Sequence, residues 1–370
     1  MIDEIIREDI EKIKSHVKGE FFAEKKVLVT GGAGFIGSWL CDALLDFGAQ
    51  VMVLDDFSTG RMKNIDHLLQ NAKFKLIKSD VCKFKGKEKF DIILHMAGHA
   101  SPDEYQVHPI ETLQTSAVGT KNMAELARKN DATLLFASTS EVYGDAEVVP
   151  TPESYWGKVN PVGPRSCYDE GKRFAEALLM AYGKQYGLDV RVPRIFNSYG
   201  PRLREDGLYG RAMSRFILQA LTNQPITVYG DGKQTRSFCY ITDMVTGLML
   251  LTTNSKAKGE VVNVGNTSEV TILELAEKVK ETTKCKSTIE FHPLPKDDPK
   301  RRCPDTSKLE KLVGWKLNVS FEEGLKRYKY PAILDPRFRA GSPLFRCSFR
   351  MRLCFIILVR AFVASSLLCF

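Results

Sequence analysis

Two side chains four residues apart carry the strongest chemical suggestion in the chain. Tyr168-Asp169-Glu170-Gly171-Lys172 places a phenol and an ammonium on one face of a helix. A tyrosine hydroxyl ordinarily loses its proton near ~10. A cation held beside it favours the phenolate, so the pair can serve as a general base at working pH. Alone, this spacing is unspecific and most often marks an exposed helix face. It gains weight from Ser138-Thr139-Ser140 at the end of an apolar run, where Thr139 can hydrogen-bond a reacting hydroxyl.

A second constellation lies near the N-terminus. Gly31-Gly32-Ala33-Gly34-Phe35-Ile36-Gly37 follows an apolar strand and opens a helix. Glycines let the chain turn sharply and let backbone approach a pyrophosphate, while the helix N-terminus offers free N–H groups and a positive dipole. Such a motif is weak in isolation, but the strand–turn–helix context is right. Asp55 ends the next strand, 18 residues beyond Gly37. An acid there accepts bonds from both adenosine ribose hydroxyls and repels a 2′-phosphate, so the expected cofactor is NAD rather than NADP. A nicotinamide ring would add a second positive charge beside Tyr168.

The elements that must position these groups alternate. Lys26–Thr30, Gln50–Leu54, Phe74–Ile77, Asp91–Met96 and Thr133–Ala137 read as strands, with helical runs at Phe35–Leu45 and Ile110–Arg128. Short β-rich runs alternating with helices describe a parallel sheet covered on both faces. The fold class is therefore α/β, a Rossmann-like doubly wound parallel sheet, with a smaller C-terminal substrate-binding lobe. After Asn197 the alternation weakens. Strands near Ile226–Tyr229 and Val261–Val264 and helices near Ile272–Glu281 and Phe321–Tyr328 suggest that lobe. The expected division is an amphipathic N-terminal helix (1–24), a dinucleotide domain (25–196), a partly interleaved lobe (197–330) and an atypical tail (331–370). Ile2, Ile5, Ile6, Ile10, Ile13 and Val17 recur at helical spacing and are expected to pack on the protein's own surface.

Bulk composition narrows the function classes. The 370 residues, 44% hydrophobic and 26% charged, suit an ordinary soluble globular protein. The net charge of +8 is mostly the tail's, because six Arg against Asp335 there contribute +5. What remains is too small to argue for nucleic acid, but it suits an anionic small substrate. Nine Cys show no C-x-x-C pair and no metal-ligand spacing with His, so reduced thiols and no metal are expected. His95 and His99 read as packing residues beside the cofactor. Met1–Lys18 is charged rather than apolar, so no secretory signal is expected and the location reads as cytoplasmic.

From about Lys26 to Tyr330 the chain resembles the extended short-chain dehydrogenase/reductases, and among them the decarboxylases of UDP-glucuronate. The resemblance is carried by Gly31–Gly37, by Ala100-Ser101-Pro102 with Tyr105, and by Ser138-Thr139-Ser140-Glu141-Val142-Tyr143-Gly144-Asp145. It continues in Tyr155–Pro161, in Gly163–Lys172, in Arg194-Ile195-Phe196-Asn197, Gly200-Pro201-Arg202 and Gln234-Thr235-Arg236, and in Asp297-Asp298-Pro299 with Arg302–Asp305. It implies a closed redox cycle. Tyr168 takes the proton of the sugar 4-hydroxyl as hydride passes to NAD, the carboxylate β to the new ketone leaves as carbon dioxide, and protonation and re-reduction give UDP-xylose. By the same likeness the cofactor touches Gly31, Gly34, Phe35, Ile36, Gly37, Asp55, Asp56, Ser58, Thr59, Gly60, Asp80, Val81, Ala97, Thr115, Tyr168 and Lys172. Tyr105, Asn197, Arg211, Tyr229, Arg236 and Arg302 would hold the substrate, Arg302 on phosphate and Arg236 on the carboxylate or pyrophosphate. A homodimer on the Ile110–Arg128 and Phe174–Lys184 helices is also implied.

Position 140 separates the family's chemistries. A nucleotide-sugar 4,6-dehydratase would need an Asp–Glu pair after Thr139, and a uronate 4-epimerase small hydroxyl residues without the Glu. Ser140–Glu141 matches the decarboxylases, with both expected to manage the proton or water at carbon 5. A dehydratase, an epimerase and a catalytically inert NAD-binding sensor or scaffold are the alternatives. Two departures stand out. Gln114 and Ser116 replace a Lys, expected to cost one charge near the substrate, and an Asn expected to order a proton path. The tail after Asp335, with Arg360 inside the apolar run Leu353–Phe370, reads as foreign sequence from readthrough, a frameshift or an artificial junction rather than a membrane anchor.

Overall fold

A computed structural model describes residues 2–204, 212–294 and 298–334. Arg211, Asp297 and the tail from Asp335 onward, all singled out in the sequence, lie outside the described residues. Eight strands form the central sheet: β1 Lys26–Thr30, β2 Gln50–Asp55, β3 Phe74–Lys78, β4 Ile92–His95, β5 Thr133–Phe136, β6 Ser138–Thr139, β7 Val190–Ile195 and β8 Val261–Val264. Their order is β8-β7-β5-β4-β1-β2-β3, with β6 beside β7. All pairs are parallel, for example Val27 with Val51 and Leu28 with Ile93. β8 was expected with the later lobe. It pairs instead with β7 at the edge of the main sheet, because a buried Val-rich run finds its hydrogen bonds there.

The strands alternate their side chains between two cores. Val27, Val29, Val51 and Val53 face one side, packed by Trp39, Leu40 and Leu44 of the helix Phe35–Asp46 and by Met244 and Leu248 of Ile241–Thr253. Leu28, Met52, Leu54 and Ile93 face the other, against Met123 and Ala127 of Thr120–Asn130 and Ala175 and Leu179 of Ser166–Tyr186. The N-terminal helix Ile2–His16 lies on the first of these layers. Ile10, Ile13 and Val17 of this segment are buried. Asp9 beside them takes a hydrogen bond from Tyr240 (2.7 Å) and an ion pair from Arg327 (2.7 Å).

The expected helix Ile110–Arg128 is interrupted. It runs as Pro109–Gln114, a π-helical turn Thr115–Gly119, then Thr120–Asn130. Hydrophobic periodicity does not register a single widened turn. The lobe contributes a parallel pair, Ile226–Tyr229 with Ile289–His292, and a three-stranded sheet in which Thr235–Ser237 lies between Glu269–Thr271 and Arg301–Arg302. Its register sets Arg236 beside Arg302. The last helix, Phe321–Leu334, runs past the expected lobe boundary by one turn.

Candidate active site

The sheet order reverses between β1 and β4, and ligands bind at such a switch point beyond the carboxyl ends of the strands. A cavity of about 400 Å³ opens there, lined from both the sheet and the lobe. Apart from Arg211, every catalytic, cofactor and substrate residue named from the sequence lies on its wall.

On the cofactor side, the chain leaves β1 at Gly31 with φ +68° and enters the helix Phe35–Asp46 through an extended Gly34. A Cβ on Gly31 would come within 2.9 Å of the Ala97 backbone, and one on Gly37 would collide with the Gly31 carbonyl oxygen. These glycines are thus required by close approach, leaving a bare backbone cradle at a helix N-terminus that fits a pyrophosphate. Asp55 closes β2 with its carboxylate accepting the N–H of Ala33 (2.9 Å) and of Phe57 (2.8 Å). Burial raises its pKa, and the two N–H groups offset that in part. Gly60 lets the loop pass this carboxylate, since a Cβ there would sit 2.6 Å from Oδ1. Asp56 holds the Ser58 N–H (2.9 Å) and hydroxyl (2.7 Å), fixing the loop that carries Thr59. Asp80, Val81, Ala97 and Thr115 complete this wall. The residues fit a dinucleotide.

On the side of the candidate catalytic residues, Tyr168 and Lys172 project from the helix Ser166–Tyr186, 6% and 4% exposed. The Lys172 ammonium donates to the Ala137 carbonyl (2.8 Å) and lies 4.6 Å from the Phe136 ring centre and 5.9 Å from that of Tyr168. Burial pushes its pKa down to about 8, against the pull of Glu176. Tyr105 stacks flat on Tyr168, ring centres 5.2 Å apart and planes within 3°. The Tyr105 hydroxyl is buried without a partner among the described residues. Thr139 lies at the end of β6, its hydroxyl accepting the Glu141 N–H (3.3 Å) and so capping the turn Ser140–Tyr143. Ser138 donates to Glu176 (2.5 Å), which also grips Arg194, locking this strand end to the catalytic helix.

Glu141 is the most constrained carboxylate of the site. Arg302 holds it with both Nη atoms, at 2.5 and 2.8 Å, and Arg165 donates to it as well. Burial alone would raise its pKa, but the charges and hydrogen bonds of Arg302 and Arg165 outweigh this and hold it at about 2. The residue expected to handle a proton at carbon 5 is therefore an ionised acceptor. Arg302, expected on phosphate, is engaged with Glu141, while Arg236 grips Asp298 (2.9 Å). Asn197 and Tyr229 form the far end, with the Arg215 guanidinium 4.9 Å from the centre of the Tyr229 ring.

Three contributors escaped the sequence reading. Arg165 was quoted only within a matching segment, although its spacing of four from Asp169 on one helix face was a usable signal. Asp298 too stood only in a matching segment, and Arg215 offered no signal, since each reaches the wall through long-range folding. The two departures also find their places. Gln114 is exposed and off the cavity wall. Ser116 is buried in the π-helical turn, and a Cβ on Gly171 of the catalytic helix would come within 3.1 Å of it. His95 is buried between Thr30 (2.7 Å) and Thr120 (3.2 Å), its pKa pushed down to about 3 by burial, and His99 lies against Thr112 (3.2 Å). Among the described residues no group of His, Cys, Asp and Glu is arranged to hold a metal.

The family model described as GDP-mannose 4,6 dehydratase matches residues 28–328. UDP-glucuronic acid decarboxylase 1 of Danio rerio is 50% identical over 303 residues, covering 82% of this chain and 71% of that protein. UDP-glucuronic acid decarboxylase 6 of Arabidopsis thaliana is 46% identical over 324 residues, 87% of this chain and 92% of that one. Among solved structures, a variant of the UDP-glucuronic acid 4-epimerase of Bacillus cereus, with a fluorinated UDP-glucuronic acid analogue and NAD, superposes with a TM-score of 0.75. It is 29% identical and covers 83% of this chain and 98% of its own.

Proposed function

The chain belongs to the GDP-mannose 4,6 dehydratase family, and within it we propose that the protein is a UDP-glucuronate decarboxylase with NAD as its resident cofactor. The observation that carries this reading is the state of Glu141. Loss of a hydroxyl from carbon 6, as in dehydration, needs an acid poised to protonate it. Among the described residues, Thr139 is followed by Ser140 and by a carboxylate held ionised by two guanidinium groups. Departing carbon dioxide needs no proton. The relatives named decarboxylases support the same reading.

Gly31, Gly34 and Gly37 would hold the NAD pyrophosphate, with Asp55 at the adenosine ribose. Bound NAD supplies the two-electron acceptor, and later the donor, at carbon 4. Tyr168, with Lys172 behind it, takes the proton of the 4-hydroxyl while Thr139 hydrogen-bonds that oxygen. The ketone so formed is β to the carboxylate, so carbon dioxide leaves with its electrons delocalised onto the 4-oxygen. Tyr168 is placed to steady that oxygen. Ser140 and Glu141 orient the water that returns a proton to carbon 5, Glu141 as acceptor. Tyr105, Asn197, Tyr229, Arg236 and Arg302 hold the nucleotide sugar, with Arg211 assigned by family likeness alone. Thr139, Tyr168 and Lys172 meeting in one cavity argue against an inert scaffold.

The finer assignments have separate support. Ile110, Leu113, Val118 and Phe174 expose apolar side chains on adjoining helices, which suits a homodimer. The described cysteines are free thiols, consistent with a cytoplasmic location. No described helix is long and apolar enough to cross a membrane. Incubation with UDP-glucuronate tests the reaction: carbon dioxide with a UDP-pentose is expected. UDP-galacturonate without gas would make the protein an epimerase, a 4-keto-6-deoxy sugar from a UDP-hexose a dehydratase, and no turnover a sensor.

A further inference from the structure

The helix that carries Tyr168 and Lys172 bears a third buried ionisable group between them, which the reaction as described does not use. Asp169 is 5% exposed and stands off the cavity wall. Its Oδ2 faces Arg165 Nε at 4.0 Å, and its Oδ1 is buried without a hydrogen-bond partner among the described residues. The same Arg165 donates through Nη2 to Glu141, whose other side is held by Arg302. One guanidinium thus serves two carboxylates, one on the cavity wall and one behind it.

We propose that Asp169 is a positioning residue that acts through Arg165 to set how firmly the Glu141 carboxylate is gripped. This rests on the decarboxylase reading. A guanidinium at 4.0 Å and an unpaired oxygen are poor compensation for burial. Burial and the Glu141 charge raise the Asp169 pKa, against Arg165 and Arg302, to about 7. Around it, Arg165 keeps its charge, Glu141 stays ionised, and Tyr105, pushed up by burial, stays neutral. Glu170 turns away to Arg173 (3.5 Å). Near neutrality Asp169 is the member of this cluster whose charge changes. Ionised, it divides the charge of Arg165, loosens its hold on Glu141, and leaves that carboxylate the stronger acceptor for the water at carbon 5. Protonated, it releases Arg165 wholly to Glu141 and weakens that acceptor.

The test is the pH dependence of carbon dioxide release from UDP-glucuronate by the NAD-loaded enzyme. Wild-type kcat is expected to rise with pH through a limb near 7. Asp169→Asn, fixed in the neutral state, is expected to lose that limb and run about 10-fold below the wild-type plateau, with KM unchanged. Arg165→Lys keeps the charge but not the fork, and is expected to move the limb upward by about half a unit; it gives an independent answer if the Asn variant fails to hold NAD. A limb at the wild-type pH in either NAD-loaded variant overturns the proposal while leaving the decarboxylase intact. A wild-type enzyme that releases no carbon dioxide removes the decarboxylase reading itself, and the role of Asp169 with it.

Discussion

At the scale of single residues, the site is a set of charges held where water does not relieve them. Tyr168→Phe removes the proposed base and leaves its ring against Tyr105. The expected result is a loss of about 10²–10⁴-fold in kcat with bound NAD unchanged, read by turnover and by cofactor absorbance. Lys172 gives a stability effect with a definite sign. Its folded pKa of about 8 lies below the ordinary 10.5, so the unfolded chain binds its proton more readily. Wild type should therefore gain stability relative to Lys172→Met as pH rises from about 8 to 10.5, by up to about 3 kcal/mol. Urea unfolding of both at the two ends of that range checks it, and a gain on acidification would contradict it. Glu141→Gln leaves Arg302 and Arg165 without their shared anion. It is expected to cost about 3 kcal/mol of stability as well as carbon dioxide release. Tyr168, Lys172 and Thr139 were visible in the sequence because their meaning lies in local spacing, and Glu141 through the family likeness of the segment that follows Thr139. The clamp on Glu141 was not, because Arg302 is brought to it from 161 positions away.

At the scale of elements, each motif works only as far as its backbone holds it. Gly37→Ala would drive a methyl group into the Gly31 carbonyl and close the pyrophosphate cradle. The purified variant is expected to carry little or no NAD while keeping its far-UV circular dichroism. Wild-type NAD content would contradict that account. Strand–helix alternation announced the dinucleotide half, because buried parallel strands are continuous apolar runs. The π-helical turn at Thr115–Gly119 left no such mark, yet it sets buried Ser116 against Gly171 of the catalytic helix. Nor did β8 reveal its place, since an apolar run of four residues states that it is buried and not against which neighbour. The sheet that sets Arg236 beside Arg302 depends on pairing between strands far apart in the chain, which is register information no local pattern contains.

At the scale of the whole molecule, two surfaces extend the account beyond the cavity. The N-terminal helix is clasped through Asp9, Tyr240 and Arg327, so its amphipathic pattern was readable while its partners were not. The apolar face of Ile110, Leu113 and Phe174 is the expected contact with a second copy. Phe174→Arg should yield a monomer by light scattering, and a wild-type mass would move the interface elsewhere. The proposed reaction is open to one direct measurement. UDP-glucuronate labelled with ¹³C at carbon 6 and deuterium at carbon 4 is given to the protein with only its bound NAD. A closed cycle predicts ¹³CO₂ and a UDP-pentose that keeps its deuterium at carbon 4, because the cofactor returns what it took. A sugar that changes while retaining its ¹³C, or a product whose carbon 4 has lost its deuterium, would contradict it.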